Sequence, residues 1–124
     1  MTAPEPSPPE PAKGTTPSEY VDLADREFAA GNHRRAAALL WKATEATFIN
    51  LAEERGIDHS DPDLIDVAKA LEADLALPKL YFRASLGAGK LLRDHAELDT
   101  LEGYELEFAY DTMRGFIIEC QGDL

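Results

Sequence analysis

The stretch GNHRRAAALLWKATEATFINLAEERG, residues 31–56, decides the fold. It opens on Gly31, a helix stop, and Asn32, an N-cap residue. It closes on Gly56, the residue type that best tolerates the left-handed turn after a helix. Between them Ala37, Leu40, Trp41, Phe48 and Leu51 recur at spacings of three, four and seven, the period of one helix face. Leu39, Ala43, Ala46 and Ile49 widen that stripe. A helix that is apolar over most of its circumference sits centrally in its bundle. At the α-helical rise this rod is roughly 36 Å long.

The same code runs outward in both directions. Upstream, Thr16-Pro17-Ser18-Glu19 offers an N-cap, a proline at the first helical position and a glutamate at N3. The helix it starts carries Tyr20, Val21, Leu23, Ala24 and Phe28. Downstream, Asp61-Pro62 predicts the start of a third helix, with Leu64, Ile65, Ala68, Leu71 and Leu75 facing inward. Pro78 opens a fourth, whose expected inner face is Leu80, Ala84, Ala88, Leu91 and His95, with Tyr81 and Leu92 beside it. Gly87 and Gly89 each weaken that helix by about 1 kcal/mol relative to Ala. The small residues Ala84, Ser85, Ala88 and Gly89 predict a surface that another backbone can approach closely, and a kink at Gly87 is the alternative. Asp99-Thr100-Leu101-Glu102 caps a fifth helix with the expected stripe Leu101, Tyr104, Phe108, Met113, Phe116, Ile117 and Cys120.

No alternating run or Asn-Gly hairpin turn competes with this pattern. The expected fold is all-α, a compact up-and-down bundle of about five helices over residues 17–124 with antiparallel neighbours. Residues 1–16 carry Pro4, Pro6, Pro8, Pro9 and Pro11 with Glu5 and Glu10, the composition of a disordered, extended tail.

Composition narrows the function. The 124 residues hold 24 acidic and 12 basic side chains, for a net charge of −12 and a pI near 4.5. Non-specific nucleic-acid binding needs a Lys/Arg surface that displaces counterions from phosphates, so nucleic acid is not an expected partner. A basic partner, or a second copy of the chain, fits better. Cys120 is the only cysteine, which removes intramolecular disulfides and cysteine-based zinc sites. No run approaches the ~20 apolar residues of a membrane span. Met1–Pro6 lacks the basic and apolar regions of a signal peptide, so a cytoplasmic location is expected.

Chemistry-bearing patterns are sparse. None of His33, His59 and His95 follows a glutamate at the di-metal bundle spacing, and no His-Glu-x-x-His occurs. Gly87-Ala88-Gly89-Lys90 lacks the first glycine, the following Ser/Thr and the preceding strand of a phosphate loop. Asp94, Glu97, Asp99, Glu102, Glu105, Glu107 and Asp111 crowd the corner between helices 4 and 5 without EF-hand spacing. They read as a solvated face able to attract a basic partner. No cofactor and no metal is expected.

Two resemblances follow. Phe28, Gly31-Asn32-His33, Ala36 and Ala43 look like one half of a tetratricopeptide repeat, in a single copy. That resemblance implies a tight helix hairpin, or an adaptor holding a peptide between helices 1 and 2. The segments LADREFAAGNHRRAAALLWKATEATFINLAEERGIDHSDPDLIDVAKAL and LYFRASLGAGKLLRDHAELDTLEGYELEFAYDTMRGFI together resemble the HEPN superfamily, in its small prokaryotic branch. The likeness lies in a helix ending in a Gly turn, an Ala-rich helix with an aromatic, the loop His59-Ser60 to Leu64, Ala88-x-x-Leu91-Leu92 and a terminal aromatic helix. It implies a helical bundle, frequent homodimers and, in some branches, metal-independent RNA cleavage. The ribonuclease branches carry Arg-x(4–6)-His in a late helix. Here Arg93 and His95 are one residue apart, Arg55 and His59 three, and the well-spaced Arg26 and His33 lie in the first hairpin.

The expected function is therefore a non-catalytic HEPN-like interaction or assembly module, a homodimer. Its expected contact residues are Ala84, Ser85, Ala88 and Gly89, or the acidic Glu97, Asp99, Glu102 and Glu105. The alternative is a divergent ribonuclease using Arg93, His95 and Asp94, or Arg55 and His59, with histidine as general acid–base.

Overall fold

The structure is a computed structural model that describes residues 15–78 and 80–122. The expected tail, apart from Thr15 and Thr16, lies outside the described residues. Five helices follow in order: α1 (Pro17–Ala29), α2 (His33–Glu54), α3 (Ile65–Asp74), α4 (Tyr81–Leu98) and α5 (Gly103–Gly122). There is no strand among the described residues. The chain is thus the all-α bundle expected, and α2 is its central rod, packed against each of the other four helices. Among the described residues no helix is long and apolar enough to cross a membrane.

The first two helices begin and end where their residues dictate. Thr16 Oγ1 accepts the Glu19 amide at 3.2 Å, and Glu19 Oε1 accepts the Thr16 amide at 3.1 Å, a reciprocal cap. The backbone and side-chain hydrogen bonds from Thr16 hold the Glu19 carboxyl below its ordinary pKa. At the end of α1, Gly31 takes φ +86. That lets the Asn32 amide reach Glu27 O (2.8 Å) and the Gly31 amide reach Phe28 O (3.1 Å). Gly56 (φ +67) repeats the device, with Ile57 N to Ala52 O at 2.8 Å and Gly56 N to Glu53 O at 3.3 Å. Asn32 occupies the N-cap position of α2, but its side chain donates backward to Glu27 Oε2 at 2.7 Å instead of capping.

The later helices start further along than expected. Asp61-Pro62 does not begin α3, which starts at Ile65. Asp61 still acts as a cap at a distance: its oxygens accept the Asp63 and Asp66 amides, each at 3.0 Å. Those bonds depress its carboxyl, the one from Asp66 most. Pro78 does not open α4, which starts at Tyr81 after Leu80 in the left-handed region (φ +75). Its first turn is capped from α3: buried Glu72 Oε2 accepts the Phe82 and Arg83 amides, both at 3.0 Å. Glu72 Oε1 takes the Arg83 guanidinium at 2.9 Å. Burial pushes the Glu72 carboxyl up. The side-chain and backbone bonds from Arg83, with Leu80 and the guanidinium charge adding, outweigh it and hold the group below its ordinary range. α4 runs through Gly87 and Gly89 without a break.

The core is aromatic at its centre. Phe48 of α2, Phe82 of α4 and Phe116 of α5 meet pairwise, with ring centroids 5.7–5.9 Å apart. Leu40, Val67, Leu71, Leu86, Leu92, Met113 and Ile117 pack around them, fully buried or nearly so. On the other side, α1 is tied to α5. Asp25 Oδ1 accepts the Tyr110 hydroxyl at 2.8 Å, and Asp25 Oδ2 accepts Arg114 Nε at 2.9 Å. The Phe28 and Tyr110 rings lie 4.4 Å apart, so α5 fills the space beside the α1–α2 hairpin.

Candidate interaction surface

The geometry of α4 and α5 separates what faces the core from what faces out. Steps of 100° along α4 place Phe82, Leu86, Gly89, Leu92 and His95 on one stripe, and all five are buried. Of the expected inner face, His95 is in this stripe, whereas Leu80, Ala84, Ala88 and Leu91 lie at or beyond its edge. Leu80 and Ala84 are exposed, Ala88 is half-buried and Leu91 is 50% exposed. Helix 4 holds two apolar stripes, and the one carrying the large ring of Phe82 is the one that enters the core. On α5 the expected stripe changes phase. Met113, Phe116 and Ile117 are buried as predicted, but Tyr104 and Phe108 are 77% and 75% exposed. Leu106, Ala109 and Tyr110 are buried instead. The five-residue gap from Phe108 to Met113 breaks the three-four rhythm and is the sequence signal for that change. On α3, likewise, Ile65 is exposed and Val67 buried.

The small-residue surface is partly internal. A Cβ built on Gly89 would meet Thr44 Cγ2 at 2.9 Å and the Trp41 ring at 3.2 Å. Gly89 therefore lets α4 approach α2 and is not available to a partner. Ser85 Oγ donates to Tyr81 O at 3.3 Å, and Ala84 alone of the four is exposed.

At the acidic corner the backbone uses its own neighbours. Arg34, from the start of α2, donates to Ala96 O (3.1 Å) and Glu97 O (2.7 Å), placing a cation on the C-terminal carbonyls of α4. Asp99 turns the chain at φ +52, and Glu105 Oε1 accepts the Glu102 amide at 3.0 Å to cap α5. Among the described residues no group of three or more His, Cys, Asp or Glu is arranged to hold a metal ion.

The candidate catalytic residues are not brought together. Arg93 lies over the Trp41 ring at 5.5 Å and pairs with Asp94 at 3.1 Å. Two residues on, His95 points to the opposite side of the helix and is only 3% exposed. Its burial agrees with its place on the expected inner face of the fourth helix. Its Nδ1 accepts the Leu101 amide at 3.0 Å, and its Nε2 is 3.8 Å from Asp99 Oδ1. Arg55 binds Asp74 at 3.0 Å, whereas His59 lies 3.4 Å from Glu53. His33 stacks on Phe28 with centroids 4.5 Å apart. A hollow of about 240 Å³ lies between α3 and the loop that precedes it, lined by Ile57, Asp58, Ser60, Asp61, Asp66 and Ala70. Asp58 and Asp61 there are turned onto loop amides, and the volume falls below that of an ordinary small-molecule site.

What remains is the outer face of α4 and α5. The two helices are joined by residues 99–102 and run antiparallel, with Tyr81 at the start of α4 close to Glu119 and Cys120 at the end of α5. Tyr104, Phe108 and Ile118 lie on the side of α5 opposite its buried stripe. Leu91 and Leu98 expose half or more of their surface on the part of α4 beside Tyr104 and Phe108. Large apolar groups exposed as a line are the mark of a contact surface, whereas scattered ones are ordinary. The expected contact residues Ala84 and Glu105 flank this line; its centre, Tyr104 and Phe108, is what the sequence reading had assigned to the core. In comparisons with protein-family models, curated proteins and solved structures, nothing matches this chain.

Proposed function

We propose that this chain is a non-catalytic, HEPN-like helical bundle that works as a protein-interaction module, docking another protein on the outer face of α4 and α5. The observation that carries the reading is the outward line of Tyr104, Phe108 and Ile118, on a helix whose opposite side already fills the core. Rings in that position do nothing for the fold and are costly to leave in water. A second copy of the chain, the occupant implied by the HEPN resemblance, is one way to cover them.

The test uses the Tyr104→Ser/Phe108→Ser double variant. Its urea midpoint should match the wild type, because neither ring is buried. A loss of stability above about 1 kcal/mol would make the rings structural and remove the reading. Light scattering at several concentrations then reads self-association, which the double variant should abolish where it occurs. Incubation with RNA supplies the contrary outcome: cleavage by the wild type, lost in His95→Ala, would replace the module with the ribonuclease alternative.

A further inference from the structure

The proposed docking face carries a charge pattern that selects its occupant, and the inference rests on the module reading above. The apolar line on α5 is edged on both sides by exposed carboxylates. Glu107 lies toward α1, the side on which Arg114 meets Asp25, and Asp111 falls within the line itself, in the gap between Phe108 and Ile118. Glu105 and Glu119 fall on the other side of the line, toward the face of α5 that carries Phe116 and packs against α4. The one cation of α5, Arg114, is held by Asp25 at 2.9 Å, so nothing on this helix neutralises the four carboxylates. An apolar stripe with acidic margins is complementary to an apolar stripe with basic margins.

We propose that the outer face of α4 and α5 receives a basic amphipathic helix of a partner protein. Its apolar side would lie on Tyr104 and Phe108 at one end and Ile118 at the other, its marginal Lys or Arg residues would meet Glu105, Glu107 and Glu119, and one basic residue would reach Asp111 in the gap between Phe108 and Ile118. From Tyr104 to Ile118 the line is about 21 Å long, so four turns of partner helix cover it. Other occupants fit less well. A second copy packed face to face brings the same carboxylates against one another, and like charges across an interface oppose it. Residues 1–14 of this chain carry Glu5 and Glu10 against Lys13, with no large apolar side chain after Met1. RNA and anionic bilayers are repelled by the same margins.

Three labelled peptides of about 15 residues, the length set by the helical rise, test the idea against the full chain. One has Leu at helix-face spacing and Lys elsewhere. The second has Glu in place of Lys. The third scrambles the Leu/Lys composition so that no face forms. Fluorescence anisotropy should show the Leu/Lys helix binding at least about tenfold tighter than either control, and weakening with added salt. Phe108→Ser should cost at least about tenfold in that affinity. Glu107→Lys/Asp111→Lys, at two exposed positions, should shift the preference toward the Leu/Glu peptide. Equal binding of all three peptides, or indifference to both variants, overturns the basic-helix occupant. Self-association lost in Phe108→Ser, without any peptide preference, overturns it too but leaves the docking face standing. Neither peptide binding nor self-association sinks both.

Discussion

Replacing Gly89 by Ala sets two effects of opposite sign against each other. In an exposed helix interior the change gains about 1 kcal/mol from propensity. At Gly89 the new Cβ arrives 2.9 Å from Thr44 Cγ2 and 3.2 Å from the Trp41 ring. Thr44 cannot swing away: it is β-branched and fully buried, and its hydroxyl donates to Leu40 O at 2.9 Å. Overfilling a packed contact costs about 1–3 kcal/mol. With a rigid neighbour the upper half of that range applies, so Gly89→Ala should destabilise by about 1–2 kcal/mol net. Gly87 is the internal control. It lies two residues away in the same helix with nothing within 4 Å of its would-be Cβ. Gly87→Ala should therefore stabilise by up to about 1 kcal/mol. Urea unfolding followed by circular dichroism measures both, and the slope m should stay constant. Thr44→Ser removes the offending methyl and keeps the hydroxyl. Combined with Gly89→Ala it should be more stable than the sum of the two single changes by about 1 kcal/mol, since the two residues touch. A Gly89→Ala protein at or above wild-type stability would refute the close α2–α4 approach.

Further predictions follow from the caps and the titrating groups. α3 ends with the same pair of bonds as α1 and α2, Leu77 N to Glu72 O and Ala76 N to Ala73 O, but its left-handed residue is Ala76 (φ +53) rather than glycine. Ala76→Gly should raise stability by about 1 kcal/mol in the same urea assay. Glu72 is held below the ordinary glutamate pKa of 4.5, so its stabilising contribution is complete above that value and lost as pH falls through the lower folded one. The stability gap between wild type and Glu72→Gln should therefore narrow as pH drops below 4.5, and a pH-independent gap would contradict the assignment. Burial, with Glu119 adding, pushes the Cys120 thiol up to about 12. Alkylation at neutral pH should be at least about a hundredfold slower in the native chain than in urea. Tyr110→Phe should cost about 1 kcal/mol by removing its bond to Asp25, while the Asp25–Arg114 pair persists.

The sequence made the helix ends with special residues easy to read. Thr16, Gly31 and Gly56 each act through a property of their own side chain or its lack, so α1 and both ends of α2 were visible without tertiary information. The starts of α3 and α4 were not, because their caps come from Asp61 and Glu72, four and nine positions before the first helical residue. A carboxylate that caps from another helix leaves no local spacing to find. The faces of α4 and α5 were misread for a different reason. Both helices carry more apolar residues than one stripe needs, and periodicity does not say which stripe the neighbours will cover. The outward rings of Tyr104 and Phe108, now the centre of the candidate surface, were hidden by that excess. His95 was legible as an inward residue, but not the fold-back of the loop to α5 that brings the Leu101 amide onto its Nδ1.

Trp41 is the single tryptophan of the chain, and it stands half-buried where α2 meets α4, with the Arg93 guanidinium 5.5 Å above its ring. Nature has thus installed one fluorophore at one seam. Its emission colour and quenching respond to the separation of those two rods, which makes the protein its own gauge for movement that a guest on the far side of α4 sends inward.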